Sequence, residues 1–498
     1  MIKMTEIAEQ NPWWHQGINF IHHDPHLAKI PAVFINRKII PLEKENIYVI
    51  SGPRLSGKST YLKTIVKELI QNNTPAQQIY YLAAVSFTSR RELGNALQYF
   101  VDSNRDKPLF YILLDDITSV KGWDRELKAI LDKGIIQNGL LVVTLSNASN
   151  IIKLAATFTE GSQKFINYYL KPICFREFVL QVSGHISKRL PDDQLGISLP
   201  ALLTALPNCV LDFSRGIDQL DREASKLLNF RKELDLLLHY YLVCGGFPFV
   251  INSYLNNLIN KNPVGIDPIA AEVFIRGLLG DLSKAQKQET TCRHLLKSLI
   301  ERYGRRFSFS NLAREIEITH VTAIDYLQYL EDSFLEFIVY AYDFQKREPK
   351  LKGDKKIYFL DPFLITTIKS YLSAEPVWSM IGAAMDNPAP RAKMTEGIVL
   401  THLLTNAEKP GSRLTRDFLW FYYDKTGKEM GNIISVDGLY WELDIKDPAV
   451  PAVKSPKKIS RVPLCIRLTP DEYARTRNRV TVPISVFLAL LSPSAQNL

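Results

Sequence analysis

The chain has 498 residues, of which 46% are hydrophobic and 23% charged, with a formal net charge of +9. That balance excludes a disordered or fibrous protein, and the length exceeds what one core serves, so about two to four domains are expected. Five scattered cysteines exclude a disulfide scaffold, while a polar start and the lack of about 20 consecutive apolar residues give no signal peptide or membrane span; a cytoplasmic protein with no membrane partner is expected.

In chain order, residues 1–30 form an N-terminal segment in which Asn11-Pro12-Trp13-Trp14 reads as an aromatic anchor that packs on the next domain. His22, His23 and His26 cluster around Asp24, but no second set of ligands accompanies them, so a metal there is not expected. From 31 to 180, short runs rich in strand-forming residues (Ile47–Ile50, Ile79–Ala83, Leu109–Leu114, Leu140–Thr144) alternate with segments of helical spacing. This pattern predicts an α/β fold with a parallel sheet covered on both faces.

The pattern then turns helical over 181–260, which reads as a lid, and breaks at Gly245, Gly246 and Pro248. Between 261 and 385, SFSNLAREIEITHVTAIDYLQYLEDSF gives two helices with a turn near Glu317–Thr319. The basic stretch Lys346–Lys356 comes next and leads into the strand-like KIYFL, so a winged helix is expected. A proline-rich loop at Asn387–Pro390 introduces residues 386–498, where FLWFYY, NIISV, LYWELDI and VPLCIRL predict a mixed α/β domain.

One motif carries chemistry. The apolar run Ile47–Ile50 leads into Gly52-Pro53-Arg54-Leu55-Ser56-Gly57-Lys58-Ser59-Thr60, which satisfies GxxxxGK[ST] in a strand–loop–helix setting. Glycines let backbone N–H groups surround phosphate, Lys58 reaches the β- and γ-phosphates, and the Ser59 hydroxyl ligates magnesium; ATP and Mg2+ are the expected cofactors. The strand Leu109–Leu114 ends in Asp115-Asp116, so Asp115 is the expected second magnesium ligand and Asp116 the residue that orients or deprotonates water. Ser146 or Asn147, after the strand Leu140–Thr144, is a candidate γ-phosphate sensor.

GPRLSGKST, ILLDDITSVKGWDRELKAILDKG, LKPICFREFV and YLVCGGFPFV together resemble, in order, the bacterial and archaeal AAA-type ATPases whose C-terminal half is an uncharacterised domain. The likeness continues through YLQYLEDSFLEF and KIYFLDPFL and implies an ATPase of AAA type, with slow hydrolysis expected from the departure at Asp116. Where such proteins carry LDE this chain has Leu114-Asp115-Asp116, and their TGS reads Thr144-Leu145-Ser146 here. Their Gly-Arg corresponds to Gly161-Ser162 with only Lys164 nearby, which leaves Arg54 or an arginine from another subunit of an oligomer as the finger.

The resemblance implies DNA as a partner for the winged helix, yet the helix His320–Phe334 carries no lysine or arginine and its Val321, Ile324, Leu327 and Leu330 read as core. Cations cluster instead at Arg302, Arg305 and Arg306 and in a basic hairpin at Lys346, Arg347, Lys350, Lys352, Lys355 and Lys356. GKEMGNIISV and YWELDIK resemble the strands of a PD-(D/E)xK nuclease, supplying Glu396, Asp444 and Lys446, whereas Gly431 stands where an aspartate is expected. Neighbouring Asn432 is a weak substitute, and Asp437 before Gly438 reads as a turn. The sequence therefore predicts an AAA-type ATPase that couples nucleotide state to its C-terminal domains and acts on nucleic acid. It leaves two alternatives: a nucleotide-controlled signalling switch with a protein partner, and an ATP-regulated, metal-dependent nuclease.

Overall fold

A computed structural model of the chain describes residues 4–28, 35–44, 46–132, 138–151, 154, 164–189, 198–407, 415–424, 426–446 and 462–494. The chain divides into two compact units, one built mainly on residues 1–171 and the other on 172–331 and 335–495.

In the first unit, β1 (Asn46–Ser51), β2 (Ile79–Ala83), β3 (Phe110–Asp115), β4 (Gly139–Leu145) and β5 (Lys164–Tyr169) form a five-stranded sheet in the order β2-β3-β4-β1-β5, every pair parallel. Alternation along these strands feeds two cores, as a sheet buried on both faces requires. Val49, Leu82, Ile112 and Val143 pack with the helices Arg90–Ser103 and Trp123–Asp132, and Ile50, Tyr81, Leu113 and Val142 pack with the helix Lys58–Gln71. Ser51 stands opposite Leu145 and Leu114 opposite Val143, so β1, β3 and β4 end at one level, and the loops after them share one edge of the sheet.

β2 is an edge strand, and the N-terminal segment covers it through side chains. The Trp13 and Trp14 indoles both donate to the Ile79 carbonyl, the Asn11 amide exchanges two bonds with the Tyr81 backbone, and the Ala83 N–H donates to Gln10. Exposed strand edges invite unwanted pairing, and this cover removes one. The NPWW anchor thus packs on the core, with Trp13 fully buried.

The second unit begins with helices, as the sequence predicts, at Phe175–Arg189, Ser198–Ala205, Ile217–Leu227, Arg231–Cys244, Pro248–Ile259 and Pro268–Lys284. Helices Glu289–Glu301, Phe309–Glu315 and His320–Asp332 come after these, with the expected turn held by Glu317 at φ 57°. Next comes a nine-stranded sheet. Its strands are β6 (Glu336–Asp343), β7 (Glu348–Pro349), β8 (Lys355–Phe359), β9 (Leu419–Tyr423), β10 (Glu429–Val436), β11 (Leu439–Ile445), β12 (Leu464–Thr469), β13 (Ala474–Thr476) and β14 (Arg479–Pro483). β6 pairs antiparallel with β8 and parallel with β9, through Tyr340 opposite Trp420, so the basic hairpin and the C-terminal strands share one sheet. No loop enters at Asn387–Pro390: prolines suit a first helical turn, and Pro388 opens the helix Pro388–Ala407. Val321 is 74% and Ile324 40% exposed, so only Leu327 and Leu330 of the expected core row are buried. Among the described residues no single helix is long and apolar enough to cross a membrane. All five cysteines are buried free thiols.

Candidate nucleotide-binding site

β1 runs straight into the glycine-rich loop. The Gly52 N–H donates to the Leu145 carbonyl at 3.2 Å, and a Cβ on Gly52 would lie 2.2 Å from the Leu170 carbonyl oxygen, so the loop can begin here only with glycine. Gly57 takes φ +94° just before the helix Lys58–Gln71, and Leu55 also has a positive φ of 64°. The buried Lys58 ammonium donates to the carbonyls of Gly52 (2.9 Å) and Pro53 (2.7 Å). Among the described residues the buried Ser56 hydroxyl makes no hydrogen bond. Arg54, Ser59 and Thr60 are half-buried on the same loop and first helical turn.

Asp115 closes β3 and is buried. One carboxylate oxygen accepts from the Thr144 hydroxyl at 2.7 Å and the other from the Tyr81 hydroxyl at 2.8 Å. Burial first, and then the Asp115 charge, push the Tyr81 phenol far above its ordinary pKa, so it stays protonated and donates. Thr144 also accepts from the Asp116 N–H at 2.7 Å, which ties the ends of β3 and β4 together. Asp116 is held in the left-handed region (φ 48°, ψ 51°), a costly conformation for a residue other than glycine, and its carboxylate accepts from Thr118 at 3.1 Å and Ser146 at 3.3 Å.

The structure separates the two sensor candidates. Ser146 touches Asp116, whereas Asn147 spends its side-chain oxygen on the Ser149 N–H and hydroxyl, an ordinary turn cap. Gly161 and Ser162 lie outside the described residues. Sequence reasoning did not single out Tyr81, which sits in a run read only as an apolar strand, or Lys63. On the helix Lys58–Gln71, Lys63 pairs with Asp24 at 3.4 Å and its ammonium lies 3.7 Å from the Tyr81 ring centre. Burial pulls the Lys63 pKa down while Asp24 pulls it up. His22, His23 and His26 are exposed, and the Asp24 carboxylate is engaged by Lys63 and by the His26 N–H. Among the described residues no group of three or more His, Cys, Asp or Glu is arranged to hold a metal.

The nuclease-like residues are engaged in ion pairs. Glu396 accepts from Tyr358 and Lys393 and pairs with Lys356 of β8, and although burial pushes its carboxyl up, the two lysines hold it down at about 2. Asp444 lies on β11 and is paired with Arg467 and Lys446. Beside it, burial and the Asp444 charge push Glu442 up. Asp437 and Gly438 both take positive φ in an exposed two-residue hairpin turn.

The basic hairpin divides its cations between inside and outside. Lys355 and Lys356 are buried, the first donating to the Leu351 and Gly353 carbonyls and the second paired with Glu429 and Glu396. Arg302 pairs with Glu315, and Arg306 pairs with Asp354. Of the hairpin cations only Lys346, Arg347 and Lys352 are exposed.

A five-stranded parallel sheet with a glycine-rich loop after its P-loop strand, and an aspartate at the end of a strand two places away, define the first unit as a P-loop NTPase core. Residues 44–179 match the AAA domain family, which makes this core one of AAA type, and residues 235–375 match a domain of unknown function (DUF8612). The chain is 25% identical over 329 residues to an uncharacterized protein of Haemophilus influenzae, covering 63% of this chain and 67% of that one. It is 23% identical over 381 residues to an uncharacterized protein of Methanocaldococcus jannaschii, covering 76% and 72%. The Thermotoga maritima RuvB Holliday junction branch migration motor aligns at 14% identity and a TM-score of 0.26, covering 59% of this chain and 81% of that one. The C. elegans PCH-2 structure aligns at 14% and 0.21, covering 52% and 62%. Alignments of that quality carry no information on what this chain acts on.

Proposed function

We propose that the loop Gly52–Thr60 binds ATP with magnesium and that the protein is a slow ATPase of AAA type. The observation that carries this reading is the buried Asp115, fixed through both oxygens at the level where β1 gives way to the loop. The residues present fit the ligand: Gly52 leaves no room for a side chain, Ser56 offers a buried hydroxyl, and Lys58 is already folded into the loop. Lys58 would transfer its hydrogen bonds from backbone carbonyls to phosphate oxygens, and Ser59 and Asp115 would hold the magnesium, which supplies charge neutralisation. Asp116, steadied by Ser146 and Thr118, would orient the attacking water. Its side chain is one methylene shorter than glutamate, which favours slow turnover.

For the partner, the second unit supports a protein more than DNA. Phosphate contacts dominate nucleic-acid affinity, yet Arg302 and Arg306 are paired and Lys355 and Lys356 are buried, while Val321, Ile324 and Leu351 expose apolar surface beside a groove of about 500 Å³. This favours the nucleotide-controlled switch. Glu396 and Asp444 are each held in ion pairs with lysine or arginine, which gives the nuclease alternative no support. ATP hydrolysis measured with and without duplex DNA tests both parts: slow turnover unchanged by DNA is expected. Strong stimulation would restore nucleic acid as the target, and no turnover at any ATP concentration would contradict the ATPase reading.

A further inference from the structure

We propose that Tyr81 is a positioning residue for Asp115, and that the N-terminal segment presets the magnesium-holding carboxylate through it. The inference rests on the nucleotide reading above and deepens it. Asp115 receives a hydroxyl from each side, Thr144 on β4 and Tyr81 on β2, so its plane is fixed before any ion arrives. Thr144 belongs to the central sheet, whereas Tyr81 lies on the edge strand and depends on residues 10–24 for its own position.

Three groups of that segment converge on Tyr81. Asn11 is fully buried and exchanges two bonds with the Tyr81 backbone, 2.7 and 2.9 Å long, in the way a neighbouring strand would. Trp13 meets the Tyr81 ring edge-on at 6.4 Å between centres. Asp24 holds Lys63, whose ammonium also donates to the Gln10 carbonyl at 3.2 Å and covers the Tyr81 ring. Lys63 lies one helical turn beyond Ser59, the other expected magnesium ligand, so the helix after the loop is fastened to the same segment. Groups that orient a metal ligand from behind commonly contribute about 10- to 100-fold in metal affinity.

The test uses the full chain and reads the magnesium dependence of nucleotide binding, with a fluorescent ATP analogue titrated in EDTA and across a magnesium series. Tyr81→Phe removes the hydroxyl and keeps the ring on which Trp13 and Lys63 pack. Its magnesium midpoint should rise about tenfold, while its affinity for the nucleotide in EDTA stays that of the wild type. Asp24→Asn, which loosens Lys63, should move the midpoint the same way by less. A Tyr81→Phe midpoint within twofold of wild type would overturn the inference, as would equal losses in EDTA and in magnesium, which mark general damage to the fold. No binding by the wild type itself would overturn the nucleotide reading and this inference with it.

Discussion

The two units use buried polar groups in opposite ways. In the first, Lys58, Asp115, Thr144 and Ser146 meet at the carboxyl ends of parallel strands, where a ligand can reach the loop between them. In the second, the motifs that carry the family likeness are tied to one another. Arg176 of FREF donates to the carbonyls of Leu206, Pro207, Cys209 and Ala489, Ile173 donates to Gly246 of the GGFP turn, and Asp361 of FLDPF accepts from Gly246 and Phe363. A Cβ on Gly245 would lie 2.0 Å from an Asp361 oxygen. A specific motif is therefore no sign of chemistry by itself: in one unit it builds a site, in the other it fastens helices.

That contrast is broken most severely at Asp116. Asp116→Asn should lower turnover by about 10²- to 10⁴-fold with ATP binding and thermal stability unchanged, measured by phosphate release and by melting. Intact turnover would place the base elsewhere. The mirror case is Lys356→Ala, which takes a buried cation from Glu429 and one of two lysines from Glu396 and should cost about 3 kcal/mol in urea unfolding of the second unit while leaving nucleotide affinity alone.

Asp361 sharpens the comparison through pH. Burial pushes its carboxyl up to about 7, against the pull of two backbone N–H groups. A raised folded-state pKa favours the folded state fully below the unfolded value near 4, and that contribution is lost as pH rises through 7; each tenfold change in proton affinity is worth about 1.4 kcal/mol. The stability of wild type relative to Asp361→Asn should therefore fall between pH 4 and 7, and a flat difference would contradict the assignment. The slope of wild type alone also contains His402, whose pKa burial lowers to about 4 and which acts in the opposite sense. The smallest effect belongs to Lys352→Glu, an exposed change expected within about 0.5 kcal/mol of wild type in stability and with no effect on hydrolysis.

How much could be read from the sequence depends on how local each feature is. Gly52–Ser59 is contiguous and Asp115 ends a visible strand, so the loop and its carboxylate were legible. Tyr81 looked like any strand residue, because its meaning comes from Asp115, 34 positions away, and from Asn11, 70 positions away. The spacing of Val321, Ile324, Leu327 and Leu330 marks one stripe of a helix but not how far the neighbouring elements cover it. The basic hairpin was legible only in part: β8 carries Lys355 and Lys356 into the unit, where the nearby Leu351 and Gly353 carbonyls receive the first and carboxylates from distant segments the second.

The central claim is that the loop holds ATP through Lys58, and calorimetric titration of ATP with magnesium into the wild type and Lys58→Ala tests it most directly. The wild type should bind one nucleotide per chain, and Lys58→Ala should lose most of that affinity while melting at the wild-type temperature. Equal affinity in the two proteins would contradict the account.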